Sequence, residues 1–470
     1  MKNGFKSLLI ILFILLFASN FILSKELGIS KKILMELKKS VDPNNPIFKM
    51  RLNAISNNNP STLVVNTEAL KKFHDFNFSN KIDIKGITNQ KRSGRCWLFA
   101  GYNVLRFAVI KKLKLKNFEL SQNYGTFYDK LEKANLFLEG IIGTAKKPLL
   151  SREVDYWLNH PIPDGGQWNM VVSLVEKYGV VPKEIMPETY NSSNSGMMNR
   201  ILSKLLRKDA VLLRKMVNDK VSSEKINIKK VKMLKDVYKL LVYFLGIPPE
   251  EFSYRYKTEK GRLSPVKKYT PVSFYKKFID INLNDFVIIY NTPHKPFYKL
   301  YSIKHDKDMA DKRDMSFINL PVNYLKQMAK QSIIAGEPVW FGCDVGKEFD
   351  SKRGLLLPGI HDYKSLFGMD FSMSKRDRIL YRQSIPTHAM VLTAVDIQNG
   401  KPEKWKIENS WGMKSGKNGF LIMKDNWFDY FVFAIVVNKQ FVPKKILNIL
   451  KQEPEVLPPW DPMFKTVCPN

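Results

Sequence analysis

The chain has 470 residues, of which 44% are hydrophobic and 12% aromatic, and its formal charge is +32. The apolar content excludes a disordered polycation, and the length predicts one large domain or two to three ordinary ones. Three cysteines are too few for a disulfide scaffold. The charge suggests an acidic partner, such as nucleic acid or an anionic membrane face. A lysine-rich surface in contact with water is the commoner interpretation of such a charge.

The first 24 residues have the organisation of a secretory signal peptide. Lys2 and Lys6 precede the apolar run Leu8–Phe17, and small or polar residues follow it. We therefore expect a secreted or extracytoplasmic protein. An uncleaved N-terminal anchor is the alternative, because Leu8–Leu23 can cross a bilayer if it is tilted. No later segment of the sequence is apolar enough to span a membrane, and loss of Lys2 and Lys6 still leaves a charge of +30.

The pattern of apolar residues changes from helical to strand-like along the chain. Trp97–Lys112 has apolar side chains at helical spacing, and residues 197–244 are helical and basic, since residues 191–250 contain 13 Lys or Arg and 5 Asp or Glu. Beyond about residue 335 the pattern predicts short strands at Pro338–Val345, Ala389–Val395, Trp405–Glu408, Gly419–Met423 and Phe431–Val437. Helices first and strands later predict an α+β fold in which two lobes meet at a cleft.

Cys96 is the first residue that points to chemistry. It lies where the Gly-containing loop 89–95 meets the start of the Trp97–Lys112 helix. The N–H groups and dipole of a helix N-terminus favour a thiolate over a thiol, and the basic residues before Cys96 act in the same direction. A thiolate nucleophile needs a histidine partner and a group that orients that histidine. Without such partners, a small buried cysteine is the commoner interpretation.

His388 and Asn409 fit the two partner roles. His388 precedes an apolar strand, which lets its imidazole face a cleft. Asn409 begins the sequence Asn-Ser-Trp-Gly, and its side-chain oxygen can accept a hydrogen bond that fixes the imidazole tautomer. Trp411 is placed to shield that hydrogen bond from water. A cysteine, a histidine and an asparagine in this order predict a nucleophilic catalytic site.

Further motifs accompany these three residues. They are Asn89–Ala100, Leu120–Tyr124, Asp164–Trp168, Lys295–Tyr301, Val339–Lys347, Thr387–Met390, Trp405–Gly412 and Glu453–Met463. With these motifs the sequence resembles the papain-like cysteine peptidases, and within them the branch of bleomycin hydrolase and aminopeptidase C. The resemblance covers nearly the whole chain beyond the signal segment.

The resemblance implies a role for each residue of the catalytic site. Cys96 would be the nucleophile, His388 the acid and base, and Asn409 the residue that orients the histidine. Gln90 would supply an oxyanion-hole donor next to the backbone N–H of Cys96. Removal of one such donor typically costs about 3–4 kcal/mol of transition-state stabilisation.

The expected substrate-binding residues are Gly165, Gly166, Trp411 and Asn470. The two glycines would leave the cleft wall open to a substrate backbone, which a Cβ would obstruct; an ordinary turn is the alternative. We expect no metal and no cofactor, because the other histidines lack metal-ligand spacing. Cys343 lies in a strand-like context and is interpreted as a buried structural cysteine.

The resemblance also implies a fold and an assembly. The expected fold is the papain-like two-lobe fold, with a helical lobe and a β-barrel-like lobe, a large helical insertion and a C-terminal arm. The expected segments are 1–24 (signal peptide or anchor), 25–190 (lead-in and helical lobe with the nucleophile), 191–330 (basic helical insertion for oligomerisation), 331–452 (β-rich lobe with the histidine and asparagine) and 453–470 (C-terminal arm). The family implies a homo-hexamer, and a cytoplasmic location as the alternative to secretion.

In this family the C-terminal carboxylate lies in the cleft and captures the amino group of the substrate. The present tail, Phe464–Asn470, is bulkier than the usual Gly-Ala-Leu-Ala type of ending, so it can overfill the cleft until it is trimmed. Cys468 could also form a reversible disulfide with Cys96 in an oxidising compartment.

The leading expectation is therefore a cysteine aminopeptidase that acts on short peptides. An endopeptidase or a tail-inhibited zymogen is the alternative within the same class. A nucleic-acid-binding basic oligomer is the alternative of another class. Binding of nucleic acid is expected to be secondary, since the basic segment has no recognised nucleic-acid module.

Overall fold

The computed structural model describes residues 27–72, 75–279 and 281–464. The expected signal segment 1–24 and the tail residues Cys468 and Asn470 lie outside the described residues. The chain forms two compact units, one with the residues up to Val65 and Tyr363–Met369, the other with Asn66–Asp362 and the residues from Asp370. Within the described ranges, no helix has both the length and the apolar character needed to cross a membrane.

The elements are numbered in chain order. The helices are α1 (Lys31–Lys39), α2 (Pro46–Asn57), α3 (Pro60–Leu63), α4 (Thr67–Lys72), α5 (Cys96–Leu113), α6 (Gln122–Gly143), α7 (Arg152–Asn159), α8 (Trp168–Tyr178), α9 (Tyr190–Ser193), α10 (Gly196–Asn218), α11 (Ser223–Leu245), α12 (Pro271–Phe278), α13 (Val322–Ile334), α14 (Tyr363–Phe367), α15 (Lys375–Leu380), α16 (Asp425–Phe431) and α17 (Lys444–Leu447). The strands are β1 (Asn80–Lys81), β2 (Phe252–Tyr254), β3 (Lys267–Tyr269), β4 (Phe286–Tyr290), β5 (Lys299–Ile303), β6 (Ser316–Asn319), β7 (Val339–Cys343), β8 (Phe349–Asp350), β9 (Leu355–Leu356), β10 (His388–Gln398), β11 (Lys401–Glu408), β12 (Phe420–Lys424), β13 (Val432–Asn438) and β14 (Glu455–Leu457).

The first unit consists of short helices whose starts are set by local sequence. Asn45 and Asn59 accept hydrogen bonds from N–H groups in the first turns of α2 and α3, and Pro46 and Pro60 are the first residues of these helices. Asparagine before proline is a helix-start pattern, because proline loses no backbone hydrogen bond at that position.

The helical part of the second unit surrounds α5. Most residues of this helix are buried, against the helices α6 and α8 and the strand β10. By contrast, α10 and α11 are amphipathic: residues such as Leu202 and Leu206 are buried one turn apart, and the lysines lie on the outer face. The helical and basic prediction for residues 197–244 agrees with these two helices, which are separated by residues 219–222.

The β-rich part of the second unit is one mixed sheet, in the order β14-β5-β6-β4-β13-β7-β10-β11-β12-β9-β8, with β1 paired to β10. The five predicted late strands correspond to β7, β10, β11, β12 and β13. In the register of β7 and β10, His388 lies opposite Cys343. This places His388 at the first position of a central strand that is buried on both faces.

The range 191–330, expected to be a helical insertion, changes to strand near its end. Strands β4, β5 and β6 belong to the large sheet, and β4 pairs antiparallel with β13. The sequence Phe-Val-Ile-Ile-Tyr of β4 is rich in β-branched and aromatic residues, which favour a strand in a buried sheet. The boundaries of the expected segments stay a prediction.

The C-terminal arm runs along the edge of this sheet. Strand β14 pairs parallel with β5, and the N–H of Lys304 donates to the carbonyl of Leu457 at 2.9 Å. Further on, the guanidinium of Arg152 lies 4.2 Å from the ring centre of Trp460, and Lys295 pairs with Asp461 at 3.2 Å. The arm is thus extended over Glu455–Leu457, and it then turns and forms a short 3-10 helix at Pro462–Phe464.

Candidate active site

Cys96 is the first residue of α5 and is fully buried. The residue before it, Arg95, has a non-helical backbone and provides no capping hydrogen bond, and the first turn contains no acidic side chain. No carboxylate in the first turn of this helix therefore offsets the positive end of its dipole. The N-terminus of a helix favours the thiolate form of a cysteine placed there.

His388 approaches this helix from the sheet. Helix α5 packs against β10, and Cys96 belongs to the same buried cluster as Ala389. The side-chain Nε2 of His388 lies 2.9 Å from Oδ1 of Asn409, and both residues are buried. Because an amide oxygen only accepts hydrogen bonds, Nε2 carries the proton, and Nδ1 is left as the ring nitrogen that can exchange a proton with a nucleophile.

The Asn409 oxygen is itself held in place. It accepts a second hydrogen bond from the backbone N–H of Ser410 at 2.8 Å. The indole of Trp411 lies against the imidazole of His388, with ring centres 4.8 Å apart. The predicted cover of the His388–Asn409 hydrogen bond by this tryptophan therefore agrees with the geometry.

Gln90 is buried next to the same segment. Its side-chain oxygen accepts a hydrogen bond from Oγ of Ser410 at 2.6 Å, and its Nε2 donates to the carbonyl of Ser93 at 2.7 Å. The backbone N–H of Gln90 also donates to the carbonyl of Ser410. The loop that carries Gln90 and the segment that follows Asn409 therefore form one hydrogen-bonded unit.

Asp344 is a site residue whose role the sequence did not reveal. It accepts hydrogen bonds from Oγ of Ser384 at 2.7 Å and from Oγ1 of Thr387 at 3.1 Å. These contacts fix the segment that leads into His388. The residue lies in the motif Val339–Lys347, but nothing in the sequence says which side chains it would meet.

Gly165 and Gly166 are both buried. A Cβ on Gly166 would lie 2.6 Å from the indole of Trp97, so packing against this ring already requires a glycine there. Their predicted role in substrate binding stays a prediction, and Asn470 lies outside the described residues.

Cys343 is a fully buried free thiol, and burial raises its pKa well above the usual value. It is therefore a poor nucleophile, consistent with a structural role. In the parts of the chain that the structure describes, no group of three or more His, Cys, Asp or Glu side chains is arranged to hold a metal ion.

Residues 28–464 match the model of the Peptidase C1-like family. The chain belongs to this family. It is 44% identical to aminopeptidase C of Lactobacillus delbrueckii subsp. lactis over 394 residues, which are 83% of this chain and 88% of that protein. It is 40% identical to bleomycin hydrolase of Homo sapiens over 401 residues, again 83% of this chain and 88% of that protein.

The crystal structure of PepW from Lactobacillus rhamnosis HN001 has the same fold. It superposes with a TM-score of 0.91 at 42% identity and covers 94% of this chain and all of that chain. The predicted resemblance to the bleomycin hydrolase and aminopeptidase C branch and the predicted α+β papain-like fold are confirmed. The protein is a papain-like cysteine peptidase.

Proposed function

We propose that this cysteine peptidase is an aminopeptidase that removes N-terminal residues from short peptides, with Cys96, His388 and Asn409 as its catalytic triad. The observation that carries the proposal is the hydrogen bond between His388 and Asn409, formed beside the helix that begins at Cys96. The similarity to proteins named aminopeptidase C supports the choice of an exopeptidase.

The proposed reaction proceeds through a thioester. Nδ1 of His388 takes the proton of the Cys96 thiol. The Sγ then attacks the carbonyl carbon of the first peptide bond, and the carbonyl oxygen becomes an oxyanion stabilised by the side-chain amide of Gln90 and the backbone N–H of Cys96. His388 then protonates the leaving amine as the C–N bond breaks. Water, deprotonated by His388, attacks the thioester, releases the N-terminal amino acid and restores the thiol.

The C-terminal arm supports exopeptidase activity in particular. The pairing of β14 and the contacts of Trp460 and Asp461 fix the path of the arm. The tail therefore begins at a fixed position in the fold. We propose that the carboxylate of Asn470 binds the ammonium group of the substrate, as the family resemblance implies. Gly165, Gly166 and Trp411 would line the path of the substrate backbone.

The test is turnover of an aminoacyl-arylamide by the reduced protein. Cys96→Ser should abolish turnover, and pretreatment with iodoacetamide should do the same. The matched control is Cys343→Ala, a change at the other described free thiol, which should keep both turnover and sensitivity to iodoacetamide. Activity that survives Cys96→Ser would contradict the proposal, as would a folded, reduced wild type without activity.

We further propose a homo-hexamer and a location outside the cytoplasm. The first rests on the family resemblance and the second on the sequence of residues 1–24. Nucleic acid is proposed only as a secondary partner of the basic surface, through contacts that weaken steeply with salt.

A further inference from the structure

Asp164 is a buried carboxylate at the junction of four parts of the second unit. Its Oδ2 accepts hydrogen bonds from the backbone N–H of Gly94, at 3.0 Å, and from Oγ of Ser195. Its Oδ1 accepts from Nδ2 of Asn199 at 2.7 Å and pairs with Nζ of Lys130 at 2.6 Å. Burial by itself raises the pKa of this carboxyl, but the charge of Lys130 and the hydrogen bonds outweigh burial and hold the pKa below its usual range.

The backbone around Asp164 is fixed as firmly as its side chain. Its carbonyl accepts a hydrogen bond from Nε1 of Trp97, the second residue of α5, at 2.8 Å. The carbonyls on either side, of Pro163 and Gly165, accept hydrogen bonds from Nζ of Lys133 at 3.2 and 2.7 Å. Residues 163–167, which we call the glycine loop, are therefore held at a set distance from the start of α5.

A second group of contacts joins the start of α10 to residues 90–96, which we call the nucleophile loop. The N–H of Arg92 donates to the carbonyl of Ser193, and the N–H of Ser195 donates to the carbonyl of Arg92. Arg95 forms two hydrogen bonds with Glu188, at 3.2 and 2.7 Å, and its guanidinium is almost fully buried. Through these hydrogen bonds, residues 188–199 hold the nucleophile loop in place.

We infer that Asp164 is a positioning residue for catalysis, which fixes the nucleophile loop relative to the glycine loop and couples both to the N-terminus of α10. The inference rests on the proposed function, since it assumes that Gln90 and the N–H of Cys96 stabilise the oxyanion. One of the four donors to this buried carboxylate, the N–H of Gly94, belongs to the nucleophile loop, and the other three hold the carboxylate that it contacts. A small displacement of a catalytic group is enough to reduce a rate about 100-fold.

Two readouts separate a positioning role from a general loss of structure. Hydrolysis of an aminoacyl-arylamide needs the oxyanion donors, whereas alkylation of Cys96 by iodoacetamide needs the thiolate and no oxyanion hole. If Asp164 acts by positioning the loop, kcat falls while KM and the rate of alkylation per folded molecule stay near the wild-type values.

The variants are Asp164→Asn, Ser195→Ala and Asn199→Ala. We expect kcat to fall by about tenfold to 100-fold in the first and by about threefold to tenfold in the other two, with KM and the alkylation rate within about twofold. Ser195→Ala and Asn199→Ala each remove a single donor to Asp164, so they test the inference even if Asp164→Asn leaves Lys130 unpaired and fails to fold.

The matched control is Asp209→Asn. Asp209 is a buried carboxylate on α10, and its ion-pair partner, Lys208, belongs to the same helix. This variant should keep the wild-type kcat. The inference is overturned if Ser195→Ala and Asn199→Ala keep the wild-type kcat, or if kcat and the alkylation rate fall together in all variants. Failure of the proposed function is distinguishable, because the wild type itself would then show no turnover or no inactivation.

Discussion

The hydrogen bond from His388 to Asn409 leads to a direct prediction for a single residue. Asn409→Ala removes the acceptor of the Nε2 proton and so frees the imidazole to rotate and to change tautomer. We expect kcat for an aminoacyl-arylamide to fall by about 100-fold, at the low end of the contribution of a positioned acid–base group. The measurement is steady-state kinetics per folded molecule.

The control for this change is Asn123→Ala. Asn123 is also a buried amide, and its Nδ2 donates to the carbonyls of Pro187 and Leu245 at 2.8 Å each. Its loss should lower the free energy of unfolding and leave kcat unchanged. Equal losses of kcat in the two variants would show that Asn409 acts only through stability.

Asp306 gives a prediction about pH. Both its oxygens are buried without a hydrogen-bond partner among the described residues, and burial, together with the nearby charge of Asp314, raises its pKa well above the usual value. The folded protein therefore binds a proton that the unfolded chain releases, so this contribution to stability is complete below the ordinary aspartate pKa and is lost as pH rises toward the folded-state pKa. Asp306→Asn should raise Tm at pH 8, by about 2 °C or more, and change it less at pH 5.

The matched variant is Asp311→Asn, in the same loop but exposed. It should leave Tm unchanged at both pH values. A Tm for Asp306→Asn that stays below the wild-type value at pH 8 would contradict the assigned protonation. Thermal unfolding followed by circular dichroism gives the comparison.

Among single residues, the sequence predicts those whose chemistry is local. Cys96, His388, Asn409 and Gln90 lie in recognisable motifs, and the hydrogen bond between His388 and Asn409 is the predicted one. The residues that hold these side chains in place cannot be recognised in the sequence. In the sequence, Asp164 stands out only as part of a motif, because its partners come from parts of the chain that are distant in sequence.

Helix α5 and strand β11 are connected by a buried ion pair. Arg106 of α5 pairs with Glu408, the last residue of β11, and both side chains are almost fully buried. Since Asn409 follows Glu408 directly, this pair connects the helix that begins at Cys96 to the strand that leads into Asn409. Arg106 also donates to the carbonyl of Gly86 at 2.9 Å.

Removal of one partner should be costly. Arg106→Met leaves the Glu408 carboxylate buried without its cation, and we expect the free energy of unfolding to fall by about 3–5 kcal/mol. The double variant Arg106→Met with Glu408→Gln should recover part of this loss, because no unpaired charge is then buried. Urea denaturation of the wild type, Arg106→Met, Glu408→Gln and the double variant measures the coupling. A double variant less stable than Arg106→Met would contradict the explanation.

The elements themselves were largely predictable, but their pairing was not. The apolar spacing of Trp97–Lys112 predicted α5 to within one residue at each end. The strands β4, β5 and β6 were included in a helical range, because a basic helical pattern precedes them and strand pairs distant in sequence leave no local signal. The order of strands in the sheet is likewise a property of the tertiary structure.

For the whole molecule, removal of the six C-terminal residues distinguishes an exopeptidase from a tail-inhibited enzyme. We expect removal of Lys465–Asn470 to reduce aminopeptidase activity, because the carboxylate that is proposed to bind the substrate ammonium is lost, and to permit cleavage within longer peptides. Mass spectrometry of the products of an N-acetylated peptide distinguishes the two activities. An increase in both activities would favour the tail-inhibited alternative.

The control is removal of the terminal Asn470 alone. This variant ends in Pro469 and keeps a C-terminal carboxylate, only one residue earlier in the chain. If the tail occupies the cleft, internal cleavage should stay low in this variant. A tail that blocks the cleft is supported if this variant and the wild type show equal internal cleavage and only the longer truncation shows more of it.

The sequence by itself determined the class of enzyme, because the class depends on residue types in short motifs. The same motifs predict the nucleophile and its partners. The sequence also determined that the charge of +32 belongs mainly to the residues after the first 24. The motifs of the peptidase family do not depend on this charge. Only the tertiary structure decided which buried side chains hold the site in place. Contacts such as those of Asp164 with Gly94, Ser195 and Lys130 join residues from four separate segments, and no local pattern in a sequence specifies such contacts.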